Sequence, residues 1–271
     1  MVKNIGLIAG NGRLPFYILK EARKLGLKTI VCALRGEAEP ELEKIADSIE
    51  WIRVGELGRL VKFFKRENVE KTMMAGKITK TNLFKGEVRP DFDMIKVLAM
   101  TKNHSDDTLL GGIAKFLNEK GIELLDSTTY LSEDMLPPEG VLTKRKPNEK
   151  EIKDIEYGVF LAKEMGRLDI GQTVVVKNQA ILAVEAIEGT DEAIRRGGKL
   201  GNGDAIVVKV TKPNQDMRFD VPAVGLTTID VMIETGAKIL VFEAKKTIVL
   251  DRAELVKRAN ENKICLMAKK I

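Results

Sequence analysis

Apolar positions along the first half of the chain alternate between two periods. Short runs rich in β-branched residues, such as "KNIGLIAG", "KTIVCAL" and "GIELLDS", predict strands. Stretches between them, such as "LPFYILKEARKLG" and "ELGRLVKFFKREN", repeat their apolar residues at helical spacing. Because this alternation is typical of a mainly parallel sheet covered by helices, it predicts an α/β Rossmann-like N-terminal domain over residues 1–132.

The alternation stops in the charged stretch "LSEDMLPPEGVLTKRKPNEK", which predicts a linker over residues 133–148. A second pattern then begins with a helix and continues with "QTVVVKNQAILAVEA", two apolar runs joined at Lys177-Asn178-Gln179 as a hairpin. Further strand and helix patterns follow. They predict a mixed α/β C-terminal domain over residues 149–271.

Composition supports two domains with ordinary cores. The chain has 271 residues, of which 44% are hydrophobic and 31% charged. No apolar run reaches the roughly 18 residues that span a bilayer, and the first residues do not form a signal peptide, so we expect a cytoplasmic protein. Cys32 and Cys265 lie far apart within apolar runs, which argues against a disulfide or a cysteine metal site.

The net charge of +5 favours a phosphorylated ligand or an anionic membrane surface. Basic residues are interleaved with acidic ones and aromatic residues make up only 5%, so we do not expect nucleic acid as a partner. An adaptor that binds polyanions without catalysis is the non-enzymatic alternative. His104 is the sole histidine, which removes the usual signals of triad catalysis and of multi-histidine metal binding.

Gly10-Asn11-Gly12 follows a predicted strand and precedes a predicted helix, the context of a phosphate-binding turn. The dinucleotide fingerprint requires a third glycine where Pro15 stands, and an acid for the ribose where Arg35 stands. Three interpretations stay open. The turn binds the dinucleotide of an oxidoreductase, it binds another nucleotide or phosphate, or it is only a tight strand-to-helix turn.

The stretch "AVEAIEGTDEAIRR" carries Glu185 and Glu188 ahead of Gly189-Thr190-Asp191. In one interpretation Thr190 caps a helix whose first turn holds acids that complement the helix dipole. In the other, backbone N–H groups and carboxylates surround a phosphate and a cation, with Arg195 and Arg196 one turn further on.

Functional side chains are also dense in "KVTKPNQDMRFDVPAVGLTTI". Lys209, Lys212 and Arg218 are candidate phosphate ligands, and Asp220 precedes Pro222, whose ring fixes the local backbone. For each residue alone an exposed loop charge is the alternative. Together they favour a site.

Five blocks of the chain resemble one family in their order. "GLIAGNGRLP", "DDTLL", "GRLDIGQTVVV", "AVEAIEGTDEAIRR" and "FDVPAVGLTTI" are similar to the UDP-2,3-diacylglucosamine pyrophosphatases of the LpxI type, from lipid A biosynthesis. The resemblance implies a two-domain homodimer whose C-terminal domain, residues 149–271, is catalytic. It implies hydrolysis of UDP-2,3-diacylglucosamine to UMP and 2,3-diacylglucosamine 1-phosphate (lipid X). It also implies water attack on the β-phosphorus with a divalent cation, usually Mg²⁺, and transient contact with the inner membrane surface.

The resemblance further implies roles for particular residues. The family's essential aspartate lies in a "D-x-P-x-x-G" block, which here makes Asp220 the catalytic residue; whether it binds the cation or orients the water stays open. The other candidate metal ligands are Glu185, Glu188 and Asp191. The candidate substrate-binding residues are Gly10, Asn11, Gly12, Gln172, Gly189, Thr190, Asp191, Lys209, Lys212, Pro222 and Thr228.

Overall fold

The computed structural model describes residues 4–78, 90–101, 106–213 and 215–271. His104 and the side chains of Asp106 and Asp107, in the "DDTLL" block, lie outside the described part. The chain divides into two compact units. One comprises Met1–Leu131 with Asp216–Asp220, and the other comprises Ser132–Gln215 with Val221–Ile271.

The first unit is built on a five-stranded sheet in the order β3-β2-β1-β4-β5, and every strand pair in it is parallel. Its strands are β1 (Asn4–Ala9), β2 (Lys28–Leu34), β3 (Ser48–Ile52), β4 (Lys71–Ala75) and β5 (Glu123–Leu124). Its described helices are α1 (Leu14–Lys24), α2 (Leu57–Arg66), α3 (Phe92–Met100) and α4 (Asp106–Glu119), with a 3₁₀ turn at Pro40–Lys44. The predicted parallel α/β architecture is confirmed.

Helices cover both faces of this sheet because alternate strand residues point to opposite sides. Ile8 and Ile30 pack with Phe63 and Phe64 of α2 in one buried cluster. Neighbouring strand positions instead join a second cluster with Ile18 and Leu19 of α1. The strands therefore carry near-continuous apolar runs, as expected of a sheet buried on both faces.

The second unit is built on a six-stranded mixed sheet in the order β6-β13-β11-β9-β7-β8, next to a two-stranded parallel ribbon of β10 and β12. The strands are β6 (Gly140–Val141), β7 (Thr173–Lys177), β8 (Ala180–Val184), β9 (Ile206–Lys209), β10 (Ala223–Val224), β11 (Ile239–Glu243), β12 (Ile248–Val249) and β13 (Cys265–Lys269). The helices are α5 (Glu149–Arg167), α6 (Thr190–Gly201), α7 (Leu226–Thr235) and α8 (Arg252–Glu261).

The predicted hairpin is present in this sheet. Strands β7 and β8 are antiparallel, and Asn178 and Gln179 between them have φ of 52° and 54°. The carboxylate of Asp154 on α5 accepts hydrogen bonds from both of their N–H groups, at 2.8 and 2.7 Å. Asn tolerates the left-handed conformation, and the buried carboxylate holds the turn.

Two stretches belong to a unit that the sequence did not predict for them. The stretch 133–148, for which the sequence predicts a linker, groups with the second unit, where Gly140–Val141 forms an edge strand on β13. Asp216–Asp220 groups with the first unit although the residues on either side of it belong to the second. Among the helices described, none has both the length and the apolar character needed to cross a bilayer.

Candidate functional site

Polar residues gather at one edge of the second unit's sheet. Strands β8, β9 and β11 run in the same direction and end at this edge, where Glu185 follows β8, Lys209 ends β9 and Glu243 ends β11. Strand β7 runs the other way and begins there with Thr173. Open α/β sheets bind ligands outside the carboxyl ends of their strands, so this edge is the candidate site.

Lys209 is the buried cation of the site, with only 7% of its surface exposed. Its ammonium donates to the hydroxyl of Thr190 at 2.9 Å and to the carbonyl oxygen of Ala223 at 3.1 Å. A buried ammonium is strongly destabilising unless polar groups surround it. These two acceptors hold the charge in place beside the first turn of α6.

Glu185 is the matching buried anion, with 8% of its surface exposed. Its Oε1 accepts a hydrogen bond from the Thr190 hydroxyl at 2.9 Å, so Thr190 bridges the carboxylate and the ammonium of Lys209. Its Oε2 is buried and has no hydrogen-bond partner among the described residues. A buried carboxylate oxygen without a partner is costly, and such atoms in proteins often face a bound ion or water.

Two helix amino termini belong to the same unit. Helices α6 and α7 follow Gly189 and Gly225, and neither start has a side-chain cap. The hydroxyl of Thr228 in α7 lies 3.4 Å from Oδ1 of Asp191, which links the two first turns. Uncapped N–H groups carry partial positive charge and favour anions.

The interpretation of Thr190 as the helix cap is wrong. Gly189, with φ of 85°, is the N-cap residue, and Thr190 is the first helical residue. Its hydroxyl contacts Glu185 and Lys209 instead of the helix backbone. A glycine is suited to this left-handed N-cap conformation, which leaves the hydroxyl for the site.

The other charged residues of the "AVEAIEGTDEAIRR" block form ion pairs at the surface. Arg196 contacts the carboxylate of Glu188 and donates to the carbonyl oxygen of Val184 at 2.7 Å. The pKa of Glu188 is lowered by hydrogen bonds from its own backbone N–H and from Arg196. Arg195 contacts Glu192 and Glu234. Of the three predicted carboxylate ligands in this block, Glu188 is thus engaged by a neighbouring cation.

Three further predicted substrate-binding residues belong to the second unit. The ammonium of Lys212 lies 2.6 Å from the carboxylate of Asp169. Gln172 has a buried side-chain oxygen without a hydrogen-bond partner in the described part of the chain. The carbonyl oxygen of Pro222 accepts from the N–H of Ile248 at 2.8 Å, beside the ribbon of β10 and β12.

Asp220 lies in the segment that groups with the first unit and is partly buried. Its N–H donates to the carbonyl oxygen of Asp216 at 3.0 Å. Arg218, a predicted phosphate ligand, binds the carboxylate of Asp216 with Nη2 at 2.6 Å. This contact lowers the pKa of Asp216 and neutralises much of the arginine's charge.

The backbone of the glycine turn in the first unit is hydrogen-bonded to the end of strand β4 and the residues after it. The N–H of Gly10 donates to Ala75 O, and the N–H of Asn11 donates to Lys77 O, both at 2.8 Å. Gly12 has φ of 102°, which only glycine adopts readily. Two of the turn's N–H groups are therefore already used, and phosphate binding by Gly10, Asn11 and Gly12 stays a prediction.

A buried network that no sequence motif indicated surrounds Glu243, which is 1% exposed. Its carboxylate accepts from the backbone N–H of Thr211 at 3.0 Å, from Lys163 at 2.7 Å and from Lys246 at 2.8 Å. Burial by itself raises the pKa of Glu243, but these hydrogen bonds outweigh it and lower the pKa to about 2. The sequence feature that could have indicated this network is an acid at the end of the apolar strand "KILVFE".

Carboxylate, histidine and cysteine side chains do not cluster as a metal centre in the described part of the chain. No group of three or more His, Cys, Asp or Glu side chains in the described ranges is arranged to hold a metal ion. Mg²⁺ needs fewer protein ligands than that, because waters and substrate phosphates complete its shell.

Comparison with known proteins gives the same family along nearly the whole chain. The model of the LpxI N-terminal domain matches residues 4–133, and that of the LpxI C-terminal domain matches residues 138–267. The UDP-2,3-diacylglucosamine pyrophosphatase LpxI of Caulobacter vibrioides is 31% identical over 96% of this chain and 95% of that protein.

Two solved structures resemble the chain with low TM-scores. The biotin carboxylase domain of Hydrogenobacter thermophilus 2-oxoglutarate carboxylase is 18% identical over 66% of this chain, with a TM-score of 0.28. Phosphoribosylglycinamide synthetase from Anaerococcus prevotii is 15% identical over 71% of this chain, with a TM-score of 0.26. The chain spans 36% and 34% of those two chains. Similarity at this level carries no argument about function.

Proposed function

This chain belongs to the LpxI family, and from that membership we propose that it hydrolyses the pyrophosphate of UDP-2,3-diacylglucosamine to UMP and 2,3-diacylglucosamine 1-phosphate. The named relative from Caulobacter vibrioides matches 96% of this chain, across both domains, which supports a common activity. Pro15 in place of the third glycine and Arg35 in place of the ribose-binding acid argue against a nucleotide-dependent oxidoreductase.

The observation that carries the proposal is the buried Lys209 at the carboxyl edge of the sheet, in the same unit as the uncapped starts of α6 and α7. Pyrophosphate hydrolysis is accelerated chiefly by positioning and by electrostatic stabilisation of the phosphoryl oxygens. A fixed ammonium and oriented N–H groups supply that stabilisation without reorganisation during the reaction. We therefore assign the phosphates of the substrate to this edge.

Asp220 is the catalytic carboxylate in this proposal. Water attacks the β-phosphorus, a new P–O bond forms to the sugar phosphate, and the bond to the bridging oxygen breaks so that UMP leaves with that oxygen. The attacking water must lose a proton, and a carboxylate that orients it is suited to accept or relay that proton. The support for Asp220 is its position in the family's "D-x-P-x-x-G" block.

A divalent cation, Mg²⁺ by preference, belongs to the same proposal. The donors fit it, because Glu185 has a buried carboxylate oxygen without a hydrogen-bond partner among the described residues. Asp191, in the first turn of α6, is a second carboxylate, and the neighbouring Thr190 contacts Glu185, whereas Glu188 is held by Arg196. When bound, such an ion neutralises part of the negative charge that develops on the phosphoryl oxygens.

The deciding experiment incubates the protein with UDP-2,3-diacylglucosamine and Mg²⁺ in ¹⁸O-labelled water. We expect UMP without label and lipid X with label, as attack on the β-phosphorus requires. Label in UMP overturns the site of attack, and no release of UMP overturns the function. Asp220→Ala should abolish turnover while its circular dichroism stays native, and an active variant removes Asp220 from the mechanism.

Contact with a lipid surface and a homodimer complete the proposal. The two acyl chains of the substrate keep it in a membrane, so the enzyme must meet that surface at least transiently. Flotation with anionic phospholipid vesicles tests the first expectation, and light scattering of the purified protein tests the second. A protein that stays with the soluble fraction, or that scatters as a monomer, contradicts the respective part.

A further inference from the structure

Ser127 connects the segment Asp216–Asp220 to the sheet of the first unit. It is buried, with 2% of its surface exposed, and lies just beyond strand β5. Its N–H donates to the carbonyl oxygen of Met217 at 3.0 Å. Its hydroxyl lies 2.8 Å from the carbonyl oxygen of Arg218, so one residue holds two successive peptide groups of the segment.

The same hydroxyl also reaches the sheet of the first unit. It lies 2.6 Å from the carbonyl oxygen of Met74, which belongs to strand β4, so its single hydrogen is shared between this oxygen and that of Arg218. Strand β4 pairs with the central strand β1 over four residue pairs, from Gly6↔Thr72 to Ala9↔Ala75. Ser127 is therefore linked to a strand that pairs with the centre of the sheet.

The segment itself is tied internally. The carboxylate of Asp216 binds the side chain of Arg218 at 2.9 Å through Nε, and its carbonyl oxygen accepts from the N–H of Asp220 at 3.0 Å. The two carbonyl groups that Ser127 holds stand three and two residues before Asp220. A shift of those groups must therefore move Asp220 with them.

We propose that Ser127 is a positioning residue, which fixes the carboxylate of Asp220 to the frame of the first unit. The inference rests on the proposed function, in which Asp220 is the catalytic carboxylate. A catalytic group displaced by about 1 Å can lose on the order of 100-fold in rate. Ser127 thus acts on the chemical step without contacting the substrate.

The test compares three variants in the full-length protein. Ser127→Ala should lower kcat about 10- to 100-fold and leave KM within about 3-fold, because only the position of Asp220 changes. Ser127→Thr keeps the hydroxyl and should restore most of kcat. Thr129→Ala removes a hydroxyl from the same turn, where it donates to Asp126 O at 2.7 Å, and should behave as the native protein.

Amide hydrogen exchange gives a second measurement that needs no turnover. Peptides covering 216–220 should exchange faster in Ser127→Ala than in the native protein and in Thr129→Ala. Unchanged exchange, or an unchanged kcat, overturns the proposal. If Ser127→Ala does not fold, Ser127→Cys keeps the size with a weaker donor and is measured in the same way. A native protein that releases no UMP refutes the proposed function, and the exchange data still decide whether Ser127 holds the segment.

Discussion

Lys209→Met is the substitution that tests the candidate phosphate site most directly. Methionine keeps the length and the apolar stem of lysine and removes the ammonium, which donates to Thr190 at 2.9 Å and to Ala223 O at 3.1 Å. The stem stays buried among the same neighbours, so the sheet edge should keep its shape. The change therefore isolates the charge.

The size of the effect follows from these contacts. A hydrogen bond from a buried, charged donor to a phosphate oxygen contributes about 1.5 to 3 kcal/mol. Since about 1.4 kcal/mol corresponds to tenfold, kcat/KM should fall roughly 10- to 150-fold. The protein loses two internal hydrogen bonds as well, worth about 1 to 3 kcal/mol of folding free energy, which leaves it folded.

The assay is the initial rate of UMP release over a range of substrate concentrations, with thermal unfolding of each variant in parallel. Lys177→Met is the matched control. Lys177 ends the neighbouring strand at the opposite edge of the sheet. Its ammonium, like that of Lys209, donates to two groups, here the carbonyl oxygens of Gly201 at 2.7 Å and Gly203 at 2.9 Å. Equal losses in both variants, or a Lys209→Met protein within threefold of native, refute the assignment of phosphate to this edge.

Two other predictions concern buried carboxylates. Glu185→Gln should weaken Mn²⁺ binding about 10-fold or more, as measured by electron paramagnetic resonance with and without UMP. Glu188 is already paired with Arg196, so Glu188→Gln should bind Mn²⁺ as the native protein does. Equal binding by both variants contradicts the role of Glu185. Glu243→Gln should lower the free energy of unfolding by about 3 kcal/mol at neutral pH, because the pKa of this carboxyl falls from 4.5 to about 2 on folding. That stabilisation is complete above pH 4.5 and disappears towards pH 2, so urea unfolding of variant and native protein should converge there, and a pH-independent difference contradicts the assignment.

The parallel first sheet, the mixed second sheet and the hairpin at Asn178-Gln179 could be predicted from the sequence. Each depends on the spacing of apolar residues or on local turn chemistry, and both are encoded in neighbouring positions. The motif blocks also indicated the family, because they are short, ordered and rich in functional side chains. Local patterns therefore determined the fold class and pointed to Asp220 and Lys209 as candidates.

Other features required the tertiary structure. The bridge from Lys209 through Thr190 to Glu185 joins residues on separate elements, and its hydroxyl belongs to a residue that the sequence suggested as a helix cap. Glu243 and Lys163 are 80 positions apart, and Ser127 and Arg218 are 91 apart. No local pattern encodes such pairs, because strand order and packing bring them together after the chain has folded.

The sequence by itself thus determined which elements form and which residues carry chemistry. Only the tertiary structure decided which of these residues contact each other. It paired Glu188 with Arg196 and left an oxygen of Glu185 without a hydrogen-bond partner in the described part of the chain, and it grouped Asp220 with the first unit through Ser127. The physical reason is that hydrogen bonds and ion pairs depend on distance in space, whereas periodicity records only distance along the chain.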